Sequence, residues 1–299
     1  MAHKSKTPKS AIRDSQPGFA DYFHRSQQPL QALFFLLPLI VAYELGVLIY
    51  ATRYADLITG TGVIHTSQTL HIKARLWLLG FFEWFGVGGY YLPGFIMVAA
   101  LLGGHILRKD RWSLEPALYG WMGIESLLAA LPLFVFGLTF SPAPGIPGGR
   151  LEDLGLGGLA SLQASSLKPF LASLAGNGLS GGGGFTGLSW QAEIVFSLGA
   201  GIYEELLFRL ILIAALHALL VDWLKIPDLW GSTAAMVLSA VAFALYHFSQ
   251  DNSFTFSLFG YYTIAGAYLA CLYVGRGIGI AAGAHAFYDL LVVAWHLFR

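Results

Sequence analysis

Charge is what this sequence has least of. Asp, Glu, Lys and Arg make up 11% of its 299 residues, against roughly 25% in a soluble domain. Hydrophobic residues supply 56%, and the mean hydropathy is +0.63. A soluble fold of this length cannot hide that much apolar surface, so the bilayer is the expected solvent. The few charges balance, 17 Lys plus Arg against 17 Asp plus Glu, which gives no grounds for a nucleic-acid partner or an acidic one. Cysteine is nearly absent: Cys271 stands alone in an apolar stretch, so neither an internal disulfide nor a thiolate metal cluster can form. The HExxH signature of zinc peptidases is missing. The opening "MAHKSKTPKSAIRDSQPGFADYFHR" is polar and basic for too long to be the first part of a cleaved secretory signal. It reads as a cytoplasmic tail before a retained first helix.

What the sequence does have is long apolar runs. A membrane-crossing helix needs about 20 mostly apolar residues, and that ruler gives spans at about 30–50, 90–107, 116–140, 191–220, 232–249, 254–275 and 278–298. Residues 70–87, "LHIKARLWLLGFFEWFGV", are amphipathic and aromatic, and they lie along the interface, re-enter, or form an eighth span. The expected fold is therefore all-α, a polytopic transmembrane helix bundle of about seven to eight spans. Four regions follow: a tail at 1–29, N-terminal helices at 30–140, a Gly, Pro and Ser-rich loop at 141–189 and a second helical core at 190–299. Placing the tail lysines, Arg108, Lys109, Arg111, Lys225 and Arg276 on the cytoplasmic side satisfies the positive-inside rule. Arg53, Lys73 and Arg75 stand against that orientation unless 70–87 crosses.

Ionisable groups inside such runs are costly and need a reason, at roughly 2.5 to 3.5 kcal/mol each even on a gentle insertion scale. The stretch "GIYEELLFRL" at 201–210 holds three: Glu204, Glu205 and Arg209. One helical turn separates Glu205 from Arg209, so they can pair. Glu204 points about 100° away and needs another partner. Downstream, Phe243 and His247 are one turn apart, as are His285 and Asp289. Turned inward, these three helices would place two carboxylates, two imidazoles and an ion pair around one polar cavity, a set able to do acid and base chemistry on water. Straight spans, however, leave His247 near the outer end of its helix and His285 in the inner third of its own, with Glu204 between. One site requires helices that are tilted, staggered or broken.

The series Glu-Glu-x-x-x-Arg at 204–209, Phe-x-x-x-His at 243–247 and His-x-x-x-Asp at 285–289 resembles the three motifs of the CPBP family. That family comprises the type II CAAX prenyl endopeptidases and their bacterial relatives, including bacteriocin-immunity proteins. The resemblance covers about 190–297. It implies an intramembrane helical bundle and a glutamate-dependent peptidase acting on membrane-embedded or lipidated peptide and protein substrates, with no metal or other cofactor, in the bacterial inner membrane. By the same resemblance Glu204 is the general base working with His247, Glu205 and Arg209 hold the helix face, Phe243 supports His247, and His285 with Asp289 stabilises the oxyanion. Asp289 departs from the asparagine of the prenyl endopeptidases. An ionised aspartate cannot donate, so its expected part is to orient His285, unless it is protonated. Three alternatives stay open: a zinc hydrolase built on Glu204, His247, His285 and Asp289, a peptide-binding or immunity protein without activity, and a transporter. Glu44, Glu125, His105 and His217 match none of the motifs and have no assigned role.

Overall fold

The computed structural model describes residues 19–58, 73–84, 92–140, 190–247 and 256–298. Most of the tail, the 141–189 region and residues 248–255 thus lie outside the described residues. Within them the chain is helical, without strands, as it must be where lipid offers no hydrogen-bond partner to the backbone. The helices are α1 (Phe19–Ser26), α2 (Pro29–Ile58), α3 (Lys73–Trp84), α4 (Leu92–Arg108), α5 (Pro116–Phe140), α6 (Trp190–Trp223), α7 (Asp228–Tyr246), α8 (Phe256–Arg276) and α9 (Ile278–Leu297).

Each of the seven expected spans forms a helix. Five are long and apolar enough to cross a membrane by length and composition: Pro29–Ile49, Pro116–Thr139, Trp190–Trp223, Asp228–Tyr246 and Ile278–Trp295. Of the other two, α4 has 17 residues, and α8 has 21 but carries Tyr261, Tyr262, Tyr268 and Tyr273. The described residues of the 70–87 segment form the 12-residue α3, which at 1.5 Å per residue is by itself too short to span. Its Arg75 is buried against Glu44 in the protein, not left in the outer aqueous phase. Residues 19–26, assigned to the tail from sequence, form α1, which packs against α2 and α5.

Helix α9 is the axle of the bundle, in contact with α6, α5, α8 and α2. Its small residues allow this. A Cβ added to Gly283 would lie 2.5 Å from the Ser126 hydroxyl oxygen on α5. Across the α6–α9 contact, a Cβ on Gly201 would lie 2.5 Å from the backbone nitrogen of Ala286, so only glycine lets the two helices come this close. Gly277, at φ +84°, makes the one-residue turn from α8 into α9, a backbone region that side-chain-bearing residues avoid.

At that turn sits a polar clamp. Arg276 pairs with Glu125 of α5 and donates to the Ser26 hydroxyl, Tyr22 of α1 donates to Glu125, and the Gln27 amide donates to the Gly275 carbonyl. Burial, reinforced by the Glu125 carboxylate, raises the Tyr22 hydroxyl above the usual tyrosine range and keeps it a donor. Glu125 therefore serves to fasten α1, α5 and α8 together.

Candidate active site

Helix α6 departs from regular α-geometry where the charges lie. It runs as an α-helix over Trp190–Glu205, then widens into π-helical turns over Leu206–Ile213 and again over Ala218–Trp223. Such widenings redirect side chains and leave carbonyls looking for donors. The Phe208 carbonyl accepts from Ser239 on α7 at 2.7 Å. The change begins directly after the two glutamates.

The stagger that straight spans could not supply comes from the α6–α7 hairpin. Lys225, at φ 56°, and Pro227 turn the chain sharply between Trp223 and Asp228. Glu204 stands 19 residues before Trp223, and His247 stands 19 residues after Asp228. Antiparallel arms of equal residue number bring the two residues together, with Glu204 Oε2 3.7 Å from His247 Nε2 and His247 as the last, capping residue of α7. His285 arrives from α9 through the close Gly201–Ala286 approach.

Glu205 is completely buried and shared between two partners. One oxygen forms an ion pair with Arg209 Nε at 3.0 Å, and the other accepts a hydrogen bond from His285 Nδ1 at 2.9 Å. Arg209, also buried, donates to the Gly266 carbonyl on α8 at 3.1 Å and lies 4.3 Å over the Phe243 ring. Its charge is therefore offset by a carboxylate, a carbonyl and a π-face.

Glu204 is arranged differently. Its Oε1 accepts from the Tyr246 hydroxyl at 3.2 Å. Its Oε2 is buried and makes no hydrogen bond among the described residues, yet it faces His247 Nε2 at 3.7 Å and His285 Nε2 at 4.0 Å. Separations of this size suit a shared water rather than direct contact.

The hydrogen bonds fix the imidazole protons. His247 Nδ1 lies 2.8 Å from the Phe243 carbonyl, which can only accept, so Nδ1 carries hydrogen and a neutral His247 keeps its lone pair on Nε2. By the same reasoning His285 Nδ1 donates to Glu205, and Nε2 can donate only when the ring is an imidazolium. The His247 ring stacks on Tyr262 at 4.1 Å and rests against Phe243 at 4.5 Å. Asp289 lies 3.8 Å from His285 Nε2, beyond hydrogen-bonding distance and on the reacting side of the ring. The contact that orients His285 comes from Glu205, where the sequence had offered Asp289.

Beside the two imidazoles opens a cavity of about 50 Å³ walled by Leu133, Tyr261, Tyr262, Leu269, Tyr288 and Asp289, enough for a few waters. Among the described residues no group of three or more His, Cys, Asp or Glu side chains is arranged to hold a metal ion.

Several contributors were not marked by the sequence. Tyr246 and Tyr203 sit in apolar runs where an aromatic looks like packing, and Glu44 and Arg75 are 31 residues apart. Their pairing at 2.9 Å has no local signature. Of the other unassigned groups, His217 pairs with Asp228 across the α6–α7 turn, and His105 is buried edge-on to Trp112.

Residues 187–291 match the type II CAAX prenyl endopeptidase Rce1-like family, so this stretch of the chain is similar to a domain of that family. No curated protein and no solved structure matches the chain. The matched residues contain every group of the cluster from Glu204 to Asp289, and the five long apolar helices describe a polytopic integral membrane protein.

Proposed function

We propose that the protein is an intramembrane endopeptidase in which Glu204 activates a water for attack on a peptide bond. The observation that carries this reading is the Glu204 carboxylate itself: one oxygen is anchored, and the other is buried without a hydrogen bond, facing two imidazole nitrogens within 4.0 Å. A carboxylate left so is suited to receive a proton.

A water bound between Glu204 Oε2 and His247 Nε2 gives its proton to Glu204 as its oxygen adds to the carbonyl carbon. His285, as an imidazolium steadied by Glu205, donates from Nε2 to the developing oxyanion. Collapse of the tetrahedral intermediate breaks the carbon–nitrogen bond, and Glu204 returns the proton to the leaving amine. Asp289, 3.8 Å from His285 Nε2, favours the imidazolium. The aromatic-walled cavity next to the two rings receives substrate, and its protein walls exclude bulk water. The family description adds the substrate class: membrane-associated peptides and proteins, prenylated ones included. A cytoplasmic N-terminus and residence in a bacterial inner membrane belong to the same reading.

The test is hydrolysis of membrane-embedded and prenylated peptides by the purified protein, with and without a strong chelator. Wild type is expected to cleave and to be indifferent to chelation, and Glu204→Gln to lose at least about a hundredfold, the scale of a general base. Cleavage that survives in Glu204→Gln removes the assignment. Loss on chelation transfers the site to metal chemistry.

A further inference from the structure

One set of buried polar groups, on α2 and α3, lies wholly outside the family match, yet it ends one hydrogen bond away from Glu204. It begins at the start of α3. The first amides of any helix lack a carbonyl one turn earlier and must find a partner elsewhere. The Ala74 N–H donates to the Tyr246 hydroxyl oxygen at 2.9 Å. Having accepted there, Tyr246 directs its own proton to Glu204 Oε1 at 3.2 Å. The Trp77 ring, one turn further along α3, meets the Tyr246 ring edge-on at 5.2 Å.

The next residue explains why α3 stays put. Arg75 is fully buried and donates to Glu44 Oε2 at 2.9 Å, while its guanidinium lies 5.4 Å over the Tyr43 ring and 5.8 Å over the Tyr203 ring. The other oxygen of Glu44 accepts from the Tyr203 hydroxyl. Tyr203 precedes Glu204 on α6, so the clamp closes on the helix that carries the base. A buried guanidinium leaving Glu44 would forfeit this ion pair, which makes undocking of α3 costly.

We propose that α3 is a positioning element for the site: Ala74 and Tyr246 form a two-bond relay that fixes the Glu204 carboxylate with Oε2 toward His247, and the Arg75–Glu44–Tyr203 clamp holds α3 in register to do so. Tyr246 and Arg75 are positioning residues, and their catalytic consequence rests on Glu204 being the base. With Oε1 tied, the carboxylate cannot turn its free oxygen away from the water site. The same hydroxyl would be idle if Tyr246 served only to fill space between Phe208, Trp77 and His247, so a phenylalanine there separates the two roles.

The experiment uses the full chain, purified in detergent, as wild type, Glu204→Gln, Tyr246→Phe, Arg75→Met and Arg75→Lys. Infrared difference spectra against Glu204→Gln isolate the Glu204 carboxyl band, and this band is expected to shift in Tyr246→Phe. Hydrogen exchange at amide 74 is expected to quicken at least about tenfold in the same variant, beyond what any fall in its unfolding temperature explains. In turnover, Tyr246→Phe lowers kcat about tenfold at constant KM, the scale of one hydrogen bond to a charged group. Arg75→Met does likewise, and Arg75→Lys recovers part of the loss. An unmoved Glu204 band, or an active wild type whose kcat Tyr246→Phe leaves intact, overturns the relay. A shifted band in a protein that cleaves nothing supports the relay and removes the peptidase reading instead.

Discussion

Glu205 shows how much one carboxylate can organise. Its two oxygens are divided between Arg209 and His285, so it neutralises a buried guanidinium and sets an imidazole tautomer at once. Removing Arg209 would leave the fully buried Glu205 with half its partners. Arg209→Ala should therefore destabilise by about 3 to 5 kcal/mol, the range for breaking a buried pair from one side. Adding Glu205→Gln to it should restore part of that stability, as read from unfolding temperatures in detergent, while leaving His285 poorly oriented and turnover low. Equal stability of Arg209→Ala and wild type would show the pair to be dispensable.

The same residue marks the limit of reading a site from sequence. Spacings of three or four residues are legible because a helix makes them neighbours, so Glu205–Arg209, Phe243–His247 and His285–Asp289 stood out. The contact between Glu205 and His285 spans 80 residues and has no local signature. The orienting role therefore fell to Asp289, the nearest acid in sequence. Tyr246 was invisible for a related reason, since its hydroxyl matters only after α3 docks on it.

At the scale of elements, the fit between α6 and α9 decides whether the glutamates and His285 share a site. The Gly201 position is in contact with Ala286 backbone atoms, which cannot swing aside as a flexible side chain would. Gly201→Val should force the helices apart, cost about 1 to 3 kcal/mol or more as overpacking does, and reduce turnover beyond what the loss of stability explains. Thermal unfolding together with kcat on the folded fraction checks this, and a variant with wild-type values for both would show the contact to be looser than drawn. Span positions were readable from apolar runs to within a few residues, apart from α2, which continues to Ile58. The π-helical turns were not, because an apolar run of Leu, Ile and Phe carries no mark of 3.6 or more residues per turn.

Across the whole molecule, the tight turns at 109, 224–227 and 277 and the basic residues near them argue for a single orientation. Reporter fusions at Asp110 and after Lys225 are expected on the cytoplasmic side, and a fusion at the C-terminus on the opposite side. The reverse pattern would invert the bundle without altering the site. Helical class and membrane residence followed from composition, because no soluble arrangement accommodates so little charge. The joining of the two halves did not, since Glu44 and Arg75 acquire meaning only where α2, α3 and α6 meet.

On the proposed activity, the two arms of the α6–α7 hairpin would make the protein a depth gauge. Nineteen residues of regular α-helix from Asp228 set His247 about 28 Å from the hairpin turn, close to the far boundary of a hydrocarbon layer about 30 Å thick. A peptide would then be selected by the height at which its scissile bond floats more than by the letters around it. Sliding one cleavable sequence through a host transmembrane helix, residue by residue, should give a sharp maximum in cleavage that follows position. A flat response would mean that the gauge is not read.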